Sequence, residues 1–322
     1  MKNILRTTAA IVLAGCLSAM AQAQTFPSKP IRIVVPFPAG GVADLVARAV
    51  GQKLSENIKH PVLIENRAGA SAIVGTEYVA KSPADGYTLL LANLPVMSIN
   101  AIQYSNLPYD AKDFVPVIML ADQPYIIATN VSTPAKNLTE FVELSRQQPD
   151  KFTFGSASSS TFLAGELFKA RTGTKMVHVP YKGSAPAIND LLGGHITLLL
   201  DPVITLLPHT RSGKLRALAV TSSKRTEAAP EIPSYREFGL TDMDITSWQG
   251  IVAPKGTPAA VAEFLNTELN RAVKSPDVVA RLKIQGVTPV GGSAADFSKF
   301  VAAENLVWGG IAKQTNFQQE KL

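Results

Sequence analysis

Ile31-Arg32-Ile33-Val34-Val35-Pro36-Phe37-Pro38-Ala39-Gly40-Gly41-Val42-Ala43-Asp44-Leu45-Val46-Ala47-Arg48 carries the pattern from which the fold is read. A run rich in β-branched residues gives way to a Pro/Ala/Gly/Gly corner. Apolar residues then recur at 42, 45, 46, 49, 50 and 54, which predicts a strand, a tight turn and an amphipathic helix. The two glycines let another group approach the backbone closely, and the first N–H groups of the following helix have no partner inside it. Such a corner attracts an anion. It is equally the form of a plain βα turn, and neither G-x-G-x-x-G nor G-x-x-x-x-G-K-[ST] stands here to specify a nucleotide. Asp44 falls on the first turn of the helix, where its charge suits the dipole and Arg48 is its i,i+4 partner. A carboxylate aimed at an anionic ligand would repel it. Asp44 therefore reads as an organiser of the loop, with direct contact left to backbone N–H groups.

Outward from this corner the same signature recurs. Residues 61–66 form a second short strand, Arg67-Ala68-Gly69-Ala70-Ser71 leads into a helix toward Lys81, and residues 86–91 form a third strand. Three apolar strands with helices between them predict a parallel α/β sheet. Asn93, in the strand-end loop Ala92-Asn93-Leu94-Pro95, lies on the side where open α/β sheets place ligands, or in an ordinary surface turn. Two more strands, 115–120 and 125–129, flank Ala121-Asp122-Gln123-Pro124. At Ser132-Thr133-Pro134 and the cap-like Asn137-Leu138-Thr139-Glu140 the rhythm changes, a first candidate boundary.

Beyond it the opening pattern appears twice more. Residues 151–154 are a strand, Gly155-Ser156-Ala157-Ser158-Ser159-Ser160 a small-residue loop, and a helix follows from Thr161. Residues 176–179 are a strand, Pro180-Tyr181-Lys182-Gly183-Ser184 its loop, and Pro186 is expected at the first helical position, with Gly193-Gly194 as the stop. Residues 196–200, ending at Asp201, and then 215–220 and 248–254 are further strands. The tail is helical: Thr257 reads as a cap with Pro258 at the helix start, and Ser293-Ala294-Ala295-Asp296 as a capping box. Phe297, Phe300, Val301, Val307 or Trp308, and Ile311 form one stripe suited to core packing.

With 46% hydrophobic and 17% charged residues, the 322-residue chain can build a substantial core in two lobes or two linked domains. Residues 1–23 have a basic start (Lys2, Arg6), an apolar centre and a small-x-small end at Ala21-Gln22-Ala23, the form of a secretory signal cleaved after Ala23. Leu13-Ala14-Gly15-Cys16 also resembles a lipobox, which would leave a lipidated Cys16. Without Lys2 and Arg6 the formal charge falls from +6 to +4, scattered with no basic run, which argues against nucleic acid. Cys16 is the only cysteine, so no disulfide forms within the chain.

Catalytic signatures are weak. The serines at 156–160 would be a hydrolase's nucleophile, but G-x-S-x-G is missing and serine-rich loops ahead of helices are ordinary capping chemistry. His60, His178, His195 and His209 show neither H-E-x-x-H nor a cysteine partner, so neither a metal nor another cofactor is expected. His178, inside a strand, reads as a hydrogen-bonded core residue. Asp190 and Asp201 are ordinary helix-surface and strand-end positions rather than an acid/base couple. Binding without turnover requires only that glycine- and serine-rich corners in two lobes close on one carboxylate.

The stretch Pro27 to Asp44, Pro83-Ala84-Asp85-Gly86-Tyr87-Thr88-Leu89-Leu90, Leu107-Pro108-Tyr109-Asp110, Asp113-Phe114-Val115-Pro116-Val117, Val179-Pro180-Tyr181-Lys182-Gly183, and Trp248-Gln249-Gly250 through Pro254-Lys255-Gly256-Thr257-Pro258 together resemble the Bug family, the extracytoplasmic solute receptors of tripartite tricarboxylate transporters. The resemblance implies a two-lobed α/β type II periplasmic-binding-protein fold with a ligand cleft between the lobes. Residues 24–123 would be the first part of lobe 1, 124–224 lobe 2, and 225–322 the C-terminal return to lobe 1. It implies a periplasmic, non-enzymatic protein that holds a small carboxylate and delivers it to integral membrane subunits. The alternatives are an exported hydrolase using a serine of the 156–160 loop, or a receptor presenting its ligand state to a membrane sensor kinase.

The residues matching the family's first loop are Phe37, Pro38, Ala39, Gly40 and Gly41, facing Tyr181, Gly183, Ser184, Ala185 and Pro186 of the second. Asn93, Ser156, Ser158, Ser159 and Asp201 complete the expected ligand set. Trp248 closes one wall or is simply a buried tryptophan beside a sheet edge. Two loops depart from the family pattern: Ala157-Ser158-Ser159-Ser160-Thr161-Phe162 lacks the usual glycine and histidine, and Leu94, Pro95, Val96 and Met97 replace small polar residues. A more apolar distal lining favours an aromatic or alkyl carboxylate over a tricarboxylate.

Overall fold

Strand β1 (Ile31–Val35) alternates its side chains between two hydrophobic layers, Ile31, Ile33 and Val35 on one face and Val34 on the other, the period of two that an extended chain imposes. The computed structural model describes residues 26–314 together with Phe317, Gln319 and Lys321; the signal segment, the cleavage after Ala23 and Cys16 lie outside the described residues. From β1 the chain runs through α1 (Val42–Ile58), β2 (Val62–Asn66), α2 (Ile73–Ala80) and β3 (Thr88–Asn93), then a π-helical turn, Pro95–Ile99, continuing into α3 (Asn100–Gln103). Next come β4 (Phe114–Asp122), β5 (Tyr125–Asn130), α4 (Leu138–Gln147), β6 (Phe152–Ser156), α5 (Ser159–Thr172), β7 (Met176–Pro180) and α6 (Ser184–Gly193). The remainder is β8 (Leu198–Pro202), α7 (Val203–Arg211), β9 (Leu215–Val220), β10 (Gln249–Pro254), α8 (Ala259–Val273), α9 (Pro276–Ile284), β11 (Thr288–Pro289) and α10 (Ala294–Gln314).

The strands form two sheets, ordered β11-β4-β10-β3-β1-β2 and β7-β6-β8-β5-β9. The chain leaves the first sheet after β4, crosses at Gln123-Pro124, builds the second sheet from β5 to β9, and returns to place β10 between β3 and β4. The expected parallel pairing holds for β2-β1-β3, with Ile33 opposite both Ile64 and Leu89, but β10 runs antiparallel to its two neighbours, so the sheet is mixed. Crossover helices force parallel neighbours, whereas a strand arriving from the far end of the chain is free of that constraint.

Each sheet carries apolar side chains on both faces. Leu89, Leu91, Ile251 and Leu265 belong to an outer layer under α1, α8 and α9, and Ile126, Leu199 and Leu206 to an outer layer under α6 and α7. The inner faces share one layer in which Leu90 and Val252 of the first sheet and Ile127 and Leu200 of the second meet Phe297, Val301, Trp308 and Ile311 of α10. Of the two candidates on the last helix, Trp308 is the one buried, while Val307 is 47% exposed.

Three local expectations need correction. Pro186 is the third residue of α6 rather than the first, a position whose missing N–H still costs no intrahelical bond. Thr257 does not cap α8: its hydroxyl donates back to the Pro254 carbonyl at 2.8 Å, and Pro258 occupies the capping position. Helix α5 starts at Ser159, two residues before Thr161, because Ser158 and Thr161 close a reciprocal capping box across the first turn. The Ser293 and Asp296 box is present as read, with the Asp296 N–H donating to Ser293 Oγ at 3.0 Å.

Candidate functional site

The βα corner after β1 is held by Asp44. Its Oδ2 accepts from the Gly40 N–H at 3.0 Å and from Arg48 Nε at 2.9 Å, and its Oδ1 accepts from Asn66 Nδ2 at 2.9 Å. Asn66 Nδ2 also donates to the Phe37 carbonyl at 3.1 Å, so both ends of the loop are tied to one carboxylate–amide pair. Burial pushes the Asp44 carboxyl up, but Arg48, the Gly40 N–H and Asn66 together outweigh it and hold it below the ordinary aspartate value. Gly40 sits at φ +89, a conformation that side-chain-bearing residues rarely adopt. Its amide is engaged by Asp44, so Gly40 shapes the loop instead of offering a donor.

Two helix starts of the second sheet face this corner. At α5 the N–H groups of Ala157 and Ser158 donate to Thr161 Oγ1 at 2.7 and 2.9 Å, while Thr161 N–H returns a bond to Ser158 Oγ at 3.3 Å. Ser160, next in the turn, is 4% exposed, and its hydroxyl has no hydrogen-bond partner among the described residues. Helix α6 begins after Gly183, at φ +108, with no side-chain cap; Ser184 Oγ instead donates to Asp201 Oδ1 at 3.1 Å. Thr205 Oγ1 donates to Asp201 Oδ2 at 2.7 Å. Asp201 is 1% exposed, and burial pushes its carboxyl up to about 6 against the opposing pull of Ser184 and Thr205. Tyr125 is pushed up as well, by burial first and then by the charges of Asp201 and Glu304.

These elements enclose a cavity of about 230 Å³ between the two sheets. Among the expected site residues, Phe37, Asn93, Ser158, Ser184, Asp201 and Trp248 line it. Trp248 resolves both of its readings at once, being part of the wall and fully buried, packed edge-on against Phe297 and Phe300 at 5.5 and 5.7 Å. Pro38, Ala39, Gly40, Gly41 and Ala185 are exposed and, with Gly183, flank the cavity rather than line it. Ser156, Ser159 and Tyr181 line a second recess of about 340 Å³, which shares Ser158 with the first. Tyr125, Ser160, Thr161 and Ser247 also line the cavity and were not anticipated. Tyr125 opens a strand and so looked like core, and Ser160 required the true start of α5. Leu94 and Pro95 reach the wall, whereas Val96 is buried in the shared inner layer and Met97 faces a different groove.

The charge pattern constrains what can bind. Among the described residues lining the cavity there is no lysine or arginine, yet the N-termini of α5 and α6 both open on it. Helix starts carry a partial positive charge and unpaired N–H groups, which suit a single carboxylate. A larger surface groove of about 580 Å³ runs past Arg211 and Arg216, but these cations are already engaged, Arg216 with the carbonyls of Val131, Thr133 and Ala135 and Arg211 with Glu231. Ser156 Oγ and His178 Nε2 lie 2.7 Å apart, and among the described residues no carboxylate hydrogen-bonds to the imidazole to orient it as a catalytic base. Among the described residues no group of three or more His, Cys, Asp or Glu is placed to hold a metal ion, and no helix is long and apolar enough to cross a membrane.

Comparison with known proteins gives this geometry a context. Residues 46–317 match the family model described as the tripartite tricarboxylate transporter family receptor. Protein BugT of Bordetella pertussis is 35% identical over 319 residues, covering 98% of each chain. The structure of R. palustris Rpa4515 with adipate superposes with a TM-score of 0.79 at 34% identity, over 92% of this chain and 100% of that one. The periplasmic binding protein BugD gives 0.76 at 31% identity, over 92% and 100%.

Proposed function

Because the chain belongs to the tripartite tricarboxylate transporter receptor family, whose members are solute-binding receptors and not enzymes, we propose that it captures a small carboxylate between its two lobes and delivers it to integral membrane subunits of a tripartite transporter. Residues 24–123 and 225–322 act as one lobe and 124–224 as the other, hinged where the chain crosses at Gln123-Pro124 and returns before β10. The protein works in the periplasm after export.

The observation that carries this reading is the convergence of two helix N-termini and the unpartnered Ser160 hydroxyl on one cavity without a fixed cation. A ligand carboxylate would take N–H donors at the starts of α5 and α6 and the Ser160 hydroxyl, with the Phe37–Gly41 loop, held by Asp44, closing over it. Charge-assisted hydrogen bonds are worth about 1.5–3 kcal/mol each, so three or four supply about 4.5–12 kcal/mol before ordering costs and approach the roughly 8 kcal/mol of a micromolar complex only in a well preorganised site. The adipate-bound relative, at 34% identity, supports carboxylates as the ligand class.

Titration calorimetry of the purified protein with mono- and dicarboxylates beside matched amides and amines tests the reading. Carboxylates are expected to bind and their amides not to; equal binding of an acid and its amide overturns it. Deleting the gene is expected to abolish uptake of the same acid. Intact uptake with only a transcriptional response lost would assign the output to a sensor instead.

A further inference from the structure

Resting on the carboxylate reading above, we propose that the recess beyond Ser158 is a second subsite that accepts the ring of an aryl-bearing monocarboxylate whose carboxylate occupies the Ser160–Asp201 cavity. The two spaces are contiguous through Ser158. The recess measures about 340 Å³, and a cavity of roughly 150 Å³ already takes a benzene ring. Its apolar walls are rings: Phe162 lies 4.5 Å from His178 and 5.8 Å from Phe317 between centroids, at tilts of 55° and 44°, and Phe154 backs His178 at 5.0 Å. Tilted rings at these separations leave faces and edges on which a further ring packs favourably.

Each polar side chain of the recess has at least one hydrogen-bond partner, Ser158 Oγ accepting from the Thr161 N–H at 3.3 Å. Ser156 Oγ is bonded to His178 Nε2, Ser159 Oγ donates to Gln103 Oε1 across the cleft, and Tyr181 donates its hydroxyl proton to Asp190 Oδ2 at 2.7 Å. No lysine or arginine is among the described residues lining it. Burial lowers the basicity of His178, so the imidazole stays neutral at neutral pH and supplies a ring instead of a cation. The hydroxyl protons of Ser159 and Tyr181 are committed to Gln103 and Asp190 and would have to be released before a second carboxylate could take them. A ring packs against Phe162, His178 and Phe317 without breaking any of these bonds.

Titration calorimetry with 3-phenylpropionate, butanoate and adipate on the wild-type chain and on Phe162→Ala and Phe317→Ala distinguishes the possibilities. The ring is expected to tighten binding about tenfold over butanoate. Each substitution is expected to remove most of that gain while leaving butanoate within about twofold. Should Phe162→Ala fail to fold, Phe317→Ala, which lies beyond the last helix, carries the test. The wild-type His178 imidazole resonances add a second readout, shifting with 3-phenylpropionate and not with butanoate. Adipate binding tighter than 3-phenylpropionate, with neither substitution discriminating between acids, overturns the subsite and leaves the carboxylate reading standing. If none of the three acids binds, the carboxylate reading falls and the subsite with it.

Discussion

Replacing Asp201 by asparagine should stabilise the protein, and only above a definite pH. The unfolded chain ionises this carboxyl near 3.8, whereas in the folded protein burial raises it to about 6. Between those values the folded state keeps a proton that the unfolded state has lost, so stability falls as pH rises through the window and the full cost is present above it. The separation amounts to about 3 kcal/mol at 1.36 kcal/mol per unit. Asparagine keeps the shape: its oxygen accepts from Ser184 Oγ, and its amide donates to Thr205 Oγ1, whose own proton already has the Pro202 carbonyl at 2.7 Å. Asp201→Asn should therefore exceed the wild type by up to about 3 kcal/mol near pH 8 and match it near pH 4, as read by urea unfolding of both proteins across that range. A difference that stays constant with pH, or a wild type that gains on the variant as pH rises, refutes the reasoning. The ligand extends the test. A carboxylate entering the same cavity adds a like charge, so wild-type affinity for a monocarboxylate should fall from about pH 5 to about pH 7 while that of Asp201→Asn stays flat.

Ser160→Ala should leave the melting temperature of the free protein unchanged or slightly raised, because the hydroxyl it removes is buried without a partner, yet weaken carboxylate binding roughly three- to tenfold by calorimetry. A Cβ added at Gly40 or Gly183 meets no atom within 4 Å, so the obstacle to Gly40→Val and Gly183→Val is positive φ, and each should shift its loop and weaken binding about tenfold with the far-UV circular dichroism intact. Unchanged affinity in both would count against closure by these loops. Asp44→Ala removes the anchor of Gly40 and Asn66, and should cost about 1–3 kcal/mol at neutral pH in denaturant melts. Because the folded Asp44 carboxyl lies below its ordinary value, that contribution is present above pH 3.8 and should disappear as pH falls through its lower folded value.

The corner at residues 31–48 was legible because its alternation, its glycines and its helical spacing all agree on one local structure. The position of β10 was not legible from pattern alone. Residues 249–254 read as a strand, but nothing in six apolar residues states which edges they will join, and only the family resemblance implied a return. The site shows the same division. Asp44 could be singled out from its place on the first turn of a helix, whereas Ser184 and Asp201, at ordinary loop and strand-end positions, entered the expected set with the family resemblance. Tyr125 could not, since an aromatic residue opening an apolar strand is indistinguishable from core until its neighbours are known. Ser160 was hidden by a two-residue error in the start of α5, which turned on the capping box between Ser158 and Thr161. The recess walled by Phe162 and Phe317 joins residues 155 positions apart in the chain, a separation over which periodicity carries no information.

The late arrival of β10 bears on how the molecule is made. Until residue 249 and its successors are available, β3 and β4 each present an unpaired rim of N–H and C=O groups, and the first three-quarters of the chain cannot complete the sheet it begins. The half whose strands are all encoded between residues 125 and 220 can mature first, while the other waits for the carboxyl-terminal quarter. A chain truncated before β10 would therefore be sticky rather than merely less stable, gathering with its own kind through two bare strand edges.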